Sequence, residues 1–248
     1  MRPSTAPVYL ASLVLVVGCQ AIPPAGLVLH VESDQGITLS GQSLATWADQ
    51  SMFGNDGSPF STAPAPGAET LAGRPTLRFA GDAGPQDGAQ GVVFKKPVHS
   101  AAGSTSVALV RVKDPGAPLN DISLSIPELR GVDSDGDTIG LRASAADGSL
   151  NLLFGGGGKA VEATIPALGR WVAVTAVHAP DGGVKLFADG SQVVSGNVGA
   201  PVARGRNVVL SGGITSAETA ALIVYDRALP DSERTAVESY LQSKWQYR

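Results

Sequence analysis

The feature that most constrains the fold is a series of short apolar or alternating segments, separated by turn residues along most of the chain. Glycine and proline together supply these turns, with 31 and 17 of the 248 residues. The segment 107–112 has one wholly apolar face and carries Arg111 on the other, which predicts a half-buried strand. Many short strands with recurring turns predict an all-β sandwich or barrel.

The predicted strands alternate with turns of recognisable chemistry. They are 27–31, 74–79, 107–112, 122–126, 138–143, 150–154, 160–165, 172–177, 184–188, 191–194, 208–210 and 220–225. Asp181-Gly182-Gly183 and Asp189-Gly190 predict hairpin turns, since glycine adopts positive φ readily. Residues 57–73 and 81–91 are predicted as long loops that could form a binding rim on a rigid scaffold.

One helix is predicted at the C-terminal end. Its apolar positions recur at helical spacing, at Val237, Tyr240, Leu241 and Trp245. Pro230 or Asp231 begins it, Glu233 suits its positive N-terminal end and Lys244 its negative C-terminal end. We expect its apolar stripe to pack on the sandwich.

Composition narrows the function classes. Hydrophobic residues make up 43% of the chain, which is enough for a sizeable core. The formal net charge of −4 provides no basic surface for a phosphate backbone, so nucleic acid is not an expected partner.

The N-terminus has the pattern of an export signal. Residues 8–17 form an apolar and small run that is too short to span a bilayer but suits the core of a secretory signal. Gly18-Cys19 follows, and Cys19 is the only cysteine of the chain. This arrangement resembles the bacterial lipobox, which implies a signal peptide over 1–18, lipidation of Cys19 and a lipid-anchored tether over 19–26. Gln20 in place of Asp implies the outer membrane, so the predicted location is the bacterial cell envelope. An ordinary signal peptide with an incidental cysteine is the alternative.

Three groups of motifs are together similar to the bacterial LamG-like domain of the concanavalin A-like lectin and glucanase class. They are 27–30 (LVLH) with 46–51 (TWADQS) and 54–56 (GND); 73–81 (GRPTLRFAG); and 223–229 (IVYDRAL) with 237–241 (VESYL) and 244–245 (KW). The resemblance implies a concanavalin A-like jelly-roll β-sandwich of two antiparallel sheets with a C-terminal α-helix over 27–248. The chain departs from the family pattern at Met52-Phe53, Ala221 and Pro230.

Catalytic patterns of the known hydrolase classes are missing from the sequence. Jelly-roll glucanases, which this fold resembles, carry Glu-x-Asp-x-x-Glu on one strand, and Glu32-Ser33-Asp34 is the nearest match. We predict that these charges are solvated in a loop. There is no Gly-x-Ser-x-Gly elbow, and the three histidines lack metal-ligand spacing. Gly155–158 followed by Lys159 departs from a phosphate loop and is predicted to be a hairpin turn.

A candidate metal site lies in the loop that contains Asp133, Asp135 and Asp137. Alternate carboxylates in a glycine-bearing loop can direct oxygens at one Ca²⁺, which takes six to eight of them. Thr138 and Ser144 stand where a full EF-hand needs Gly and Glu. Calcium therefore competes with a solvated acidic turn, and the sequence favours no other cofactor.

The sequence as a whole favours a binding role. Most aromatic residues are predicted to lie in the core, and Phe53 and Phe60 are the pair expected to be exposed in loops. We expect a non-catalytic envelope lipoprotein that binds a carbohydrate or a protein partner at the cell surface. A glycan-active hydrolase of the concanavalin A-like fold and a purely structural envelope lipoprotein are the alternatives.

Overall fold

A computed structural model describes residues 22–60, 62–79, 90–98, 101–113, 122–125, 138–144, 148–156, 159–201, 206–211 and 216–248. The strands of the N-terminal half are β1 (Leu27–Glu32), β2 (Ile37–Ser40), β3 (Ser43–Trp47), β4 (Gly57–Phe60), β5 (Ala65–Pro66), β6 (Leu77–Phe79), β7 (Gly91–Val98), β8 (Ser104–Val112) and β9 (Ile122–Ser125). They are followed by β10 (Thr138–Ser144), β11 (Ser149–Gly156), β12 (Lys159–Ile165), β13 (Trp171–His178), β14 (Gly183–Ala188), β15 (Ser191–Asn197), β16 (Arg206–Ser211), β17 (Ala217–Tyr225) and the helix α1 (Asp231–Trp245).

One layer of the sandwich is a large antiparallel sheet in the order β15-β14-β13-β8-β17-β6-β5, with β1 paired to β17 beside β6. Its central strands β8, β13 and β17 are buried almost throughout. The prediction that 107–112 is half-buried is therefore wrong. The face that carries Arg111 is covered as well, because α1 packs on it with Val237, Leu241 and Trp245.

The second layer consists of two smaller antiparallel sheets. One has the order β16-β7-β4-β3-β2 and the other β12-β11-β10-β9, and β16 lies beside β9. Side chains of both layers form one apolar core, in which Trp47 and Phe94 have their ring centres 6.4 Å apart. The all-β jelly-roll sandwich with a C-terminal helix is thus confirmed. The predicted loop 57–73 is partly wrong, since it contains β4 and β5.

The helix begins and ends close to its predicted limits. Pro230 is its N-cap in an extended conformation and provides no side-chain hydrogen bond, while the backbone of Gln246 ends it in the left-handed region. Asp231 and Glu233 lie in the first turn and Lys244 in the last, as the helix dipole favours. Within the described residues, no helix is both long and apolar enough to cross a membrane.

Candidate functional site

The nearest acidic match to a glucanase motif is part of a buried polar network. The Glu32 carboxylate has no exposed surface. Its Oε1 accepts a hydrogen bond from the Tyr240 hydroxyl at 2.7 Å and lies 2.9 Å from Nε2 of His30. Its Oε2 accepts a hydrogen bond from the Gln35 amide at 3.1 Å and pairs with Nζ of Lys244. Both oxygens are therefore engaged.

The predicted solvation of Glu32-Ser33-Asp34 is wrong because α1 closes over this segment. Lys244, 212 residues further along the chain than Glu32, bonds Glu32 and also lies 3.0 Å from Oδ1 of Asp34. Arg74 donates to the other oxygen of Asp34 at 2.8 Å. Two carboxylates that share one lysine are held in place structurally, and this does not resemble an acid and base facing one glycosidic bond.

His30 takes part in this network as a neutral side chain. Burial and the positive charge of Lys244 lower the pKa of His30 to about 4, against the opposing effect of Asp49 and Asp34. In its neutral form the imidazole can donate Nε2–H to Glu32. The network thus needs no imidazolium at neutral pH, and it fixes α1 to β1.

A second group of carboxylates is paired near the start of β17, where Glu218 lies three residues before Ala221, the partner of Glu32. Glu218, with 1% of its side chain exposed, pairs with Arg111 and lies 3.1 Å from Nζ of Lys113. Arg111 also bonds Glu69 at 2.7 Å, and this contact lowers the pKa of the Glu69 carboxyl. A glycosidase general acid needs the opposite shift, because its carboxyl must hold a proton near neutral pH.

A polar cleft of about 450 Å³ lies between α1 and the turn that joins β14 to β15. The helix, the turn and the segment after the helix all contribute polar groups. Its lining consists of Thr235, Glu238, Ser239, Gln242 and Ser243 from the helix, Asp189, Gly190 and Ser191 from the turn, and Arg248. This volume suits a ligand of one or two sugar rings.

The turn side of the cleft is fixed by the Asp189 carboxylate. It accepts the backbone N–H of Ala173 at 3.1 Å and a hydrogen bond from Arg170 at 2.7 Å. The backbone of Asp189 adopts φ +50°, a conformation that non-glycine residues use sparingly and that aspartate tolerates better than most. The cleft wall is therefore held before any ligand arrives.

Gly190 lies beside two charged groups of the cleft. A Cβ atom at this position would lie 3.4 Å from Oε2 of Glu238 and 3.5 Å from Nη2 of Arg248. Glu238 is buried, accepts a hydrogen bond from the Thr175 hydroxyl at 2.8 Å and pairs with Arg234. The side chain of Arg248 is 43% exposed. The absence of a side chain at position 190 leaves room beside both groups.

The cleft is suited to hydrogen bonding, since hydroxyls both donate and accept, the guanidinium only donates and the carboxylates only accept. The cleft was not predicted from the sequence, because the helix was interpreted by its apolar positions alone. A signal was present: Thr235, Ser239 and Ser243 are spaced by four and so share one face of α1.

The other predicted sites fall largely outside the described residues. This applies to Asp133, Asp135 and Asp137 and to Cys19. Within the described ranges, no group of three or more His, Cys, Asp or Glu side chains could hold a metal ion. The calcium and lipidation hypotheses remain predictions.

The predicted aromatic pair is only half confirmed. Phe53 is exposed, whereas Phe60 is partly buried. A Cβ atom on Gly91 would lie 2.1 Å from the Phe60 ring, so this ring rests on the glycine of the neighbouring strand. Of the predicted rim 81–91, residues 81–89 lie outside the described part. The glycine run at Gly155 belongs to the hairpin β11–β12, as predicted.

Comparison with known proteins identifies relatives in fold only. No family model matches the chain, and no curated protein matches it. Among solved structures, the binding domain of Paraclostridial Mosquitocidal Protein 1 superimposes with a TM-score of 0.59 at 16% identity, over 87% of this chain and 52% of that one.

Binding domains of botulinum neurotoxins match in the same way. A structure of botulinum neurotoxin type C, whose cell entry depends on interaction with two ganglioside molecules, gives a TM-score of 0.61 at 11% identity, over 88% and 51% of the two chains. The binding domain of neurotoxin DC in complex with SialylT gives 0.59 at 11% identity, over 88% and 52%. The chain thus spans about half the length of these proteins. The likeness shows that the fold is the jelly-roll β-sandwich of known binding domains.

Proposed function

We propose that this chain is a non-catalytic binding domain that is exported, anchored through lipid at Cys19 in the cell envelope, and binds a carbohydrate. The observation that carries the proposal is the cleft beside Gly190, where hydroxyl, amide, carboxylate and guanidinium groups converge. A sugar presents hydroxyls that both donate and accept, which complements this mixture. Arg248 additionally suits a sugar that bears a carboxylate.

Two further observations support this proposal over the hydrolase alternative. The solved structures that share the fold include botulinum neurotoxin type C, which interacts with gangliosides, and the binding domain of neurotoxin DC in complex with SialylT. In the cleft itself, both oxygens of Glu238 are engaged, by Thr175 and Arg234, and Asp189 is held by Arg170. Carboxylates fixed in this way are poor proton carriers for hydrolysis.

A glycan array probed with the full chain, with and without Ca²⁺, tests the proposal. Ser191→Trp places a bulky ring at the exposed edge of the cleft, and we expect it to weaken glycan affinity by about tenfold or more. Gln192→Trp is the matched control, since Gln192 is equally exposed on β15 but does not line the cleft. Equal binding by both variants would place the glycan elsewhere, and no binding to any glycan would overturn the carbohydrate assignment.

The lipid anchor needs its own test. Labelling with a fatty-acid probe in a bacterial host should mark the full chain and be abolished by Cys19→Ala. Persistent labelling of the Cys19→Ala chain would show that the lipobox interpretation is wrong.

If Asp133, Asp135 and Asp137 bind Ca²⁺, the thermal midpoint of the full chain should rise with added Ca²⁺, and Asp135→Asn should remove the rise.

A further inference from the structure

A short loop between β3 and β4, residues 49–56, is built rigidly around one carboxylate; we name it the Asp49 loop. Oδ1 of Asp49 accepts the backbone N–H groups of His30 and Ser51 at 2.8 and 2.9 Å. Oδ2 accepts the Ser51 hydroxyl at 2.6 Å and the N–H of Asn55 at 2.7 Å. Four hydrogen bonds to one side chain hold both ends of the loop together.

The tip of the Asp49 loop presents apolar side chains to solvent. Met52 is 99% exposed and Phe53 37% exposed. The Lys96 ammonium bonds the carbonyl of Phe53 and lies 5.3 Å from the centre of its ring, and Lys95 is also exposed. Neither apolar side chain is needed for packing at these positions, so a rigid loop displays them without a benefit to the core.

The loop lies at the same end of the sandwich as the first described residues. Asp56 and Asn55 bond the backbone of Lys95 and Lys96 in turn, so the loop follows β7 towards its end at Val98. From there a short connection leads to the start of β8, where Thr105 pairs with Tyr225. Tyr225 in turn pairs with Leu27, the first residue of β1. The C-terminal end of β7 and the beginning of β1 therefore lie at the same end of the sandwich.

The segment 22–26 is fastened to this end. Tyr225 donates its hydroxyl to the carbonyl of Pro23 at 3.0 Å, and Arg227 donates Nε–H to the carbonyl of Ala25 at 2.8 Å. Ile22 packs on the apolar cluster beneath the helix. Only three residue steps separate Ile22 from Cys19, a distance of at most about 11 Å in a fully extended chain.

We propose that this end of the sandwich lies on a phospholipid surface, with Met52 and Phe53 inserted at the headgroup boundary and Lys95 and Lys96 facing lipid phosphates. The inference rests on the proposed lipid anchor at Cys19. A lipid held within about 11 Å of Ile22 keeps this end at the membrane, and the Asp49 loop then faces the bilayer. An apolar tip flanked by lysines suits the headgroup boundary, where apolar side chains reach the acyl region and cations meet phosphate.

The orientation can be measured on the lipidated full chain in vesicles of phosphatidylethanolamine and phosphatidylglycerol with brominated acyl chains. Phe53→Trp places a reporter at the tip, and the native Trp47, Trp171 and Trp245 are buried and serve as a constant background. Leu39→Trp is the matched control, because Leu39 is 43% exposed in the β2–β3 hairpin, at the opposite end of β3 from the Asp49 loop. We expect brominated lipid to reduce the added fluorescence of the Phe53→Trp chain by about twofold or more and to leave the Leu39→Trp chain unchanged.

Fatty-acid labelling of Cys19 in the same preparations separates the two proposals. Quenching at position 53 with labelling supports both, and quenching without labelling supports the tip contact while overturning the anchor. If Cys19 is labelled but the tryptophans at positions 53 and 39 are quenched equally or not at all, the tip contact is wrong and the lipid anchor is still supported. If Phe53→Ser abolishes glycan binding and neither reporter is quenched, the tip belongs to a glycan site and the membrane orientation is wrong.

Discussion

The two faces of the large sheet are both buried, but by different chemistry. The inner face meets the smaller sheets through aliphatic and aromatic side chains, with Trp47 and Leu222 among them. The outer face meets α1 through a similar apolar centre, which includes Trp245. Around this centre lie buried ion pairs: Glu32 with Lys244, Glu218 with Arg111, and Glu238 with Arg234.

This difference shows what fixes the position of each layer against the large sheet. Apolar packing is non-directional, so two sheets that match in volume hold together by burial alone. A single helix on a flat sheet could slide or rotate, and polar contacts between helix and sheet, Lys244 with Glu32 and Glu238 with Thr175, restrict it to one position. Buried ion pairs add little net stability, because desolvation offsets their attraction, but breaking one leaves an uncompensated charge. Both layers should therefore lose stability when a large apolar side chain is removed, and the outer layer should also lose stability when a charge partner is removed.

The two fully buried tryptophans give the largest expected effects and a direct comparison of the layers. Trp47→Ala and Trp245→Ala should each lower the free energy of unfolding by about 3–5 kcal/mol, as measured by urea denaturation. The phenylalanine variants should differ. Trp47 donates Nε1–H to the carbonyl of Glu32 at 3.0 Å, whereas Nε1 of Trp245 has no partner among the described residues.

Trp47→Phe should therefore cost up to about 1 kcal/mol more than Trp245→Phe, because only the former removes a buried hydrogen bond, although the carbonyl of Glu32 retains the N–H of Gln35 at 3.3 Å. Equal losses for the two phenylalanine variants would show that the indole N–H of Trp245 finds a partner in solution, and that the layers do not differ in this respect.

Loss of a charge partner tests the outer layer specifically. Lys244→Met leaves the Glu32 carboxylate without a cation in a site with no exposed surface, and we expect a loss of about 3 kcal/mol in the free energy of unfolding. Lys113→Met is the matched control, since Arg111 remains beside Glu218. We expect a loss below about 1 kcal/mol there, because Lys113 is one-third exposed.

A double variant sharpens this test. Glu32→Gln keeps the shape of the side chain and can still bond Tyr240, so combining it with Lys244→Met removes both charges and should restore most of the lost stability. If the double variant is no more stable than Lys244→Met alone, the cost arises from packing of the lysine stem and the charge argument is wrong.

The sequence predicted the elements with local signals and missed what depends on distant partners. The helix and strands such as β13 and β17 carry clear apolar patterns, and they form within a few residues of the predicted limits. Strands β2, β3 and β4 were missed because they are short and rich in Ser, Thr and Gly. β7 was missed because its second half carries Lys95, Lys96 and Pro97.

Charged residues produced the two errors of burial. Arg111 suggested a solvated face on β8, and Glu32 a solvated loop, since an unpaired charge is rarely buried. Their partners Glu218 and Lys244 lie 107 and 212 residues away along the chain, where no local pattern can reveal them. The cleft beside Gly190 was not predicted for the same reason, because the helix and the turn that form it meet only in the folded chain.

The network around His30 predicts a pH dependence of the outer layer. The pKa of His30 is lowered to about 4 in the folded chain, while the unfolded value is near 6.5. Between these values the unfolded chain binds more protons, so the free energy of unfolding decreases as the pH falls. From pH 7 to pH 5 this single group should account for a loss of about 2 kcal/mol.

Urea denaturation of the wild type and of His30→Gln at both pH values measures this contribution. Glutamine can still donate to Glu32 but does not titrate, so the variant should lose about 2 kcal/mol less than the wild type over the same interval. Parallel pH profiles of the two chains would mean that the pKa of His30 is the same in the folded and unfolded chains, so that neither burial nor Lys244 suppresses its protonation.

The smallest expected effect concerns the beginning of the helix. Pro230 is exposed and provides no side-chain cap for the N–H groups of the first turn. Pro230→Ser would supply such a cap, worth about 1 kcal/mol. Loss of the proline ring would also raise the conformational entropy of the unfolded chain, which lowers stability by about half as much. We expect a net gain in the free energy of unfolding below about 1 kcal/mol, measured by urea denaturation with Pro230→Ala as the control that frees the chain without a cap. A gain of several kcal/mol would contradict the view that α1 is positioned by its buried margins, because it would make the terminal turn the weak point of the outer layer.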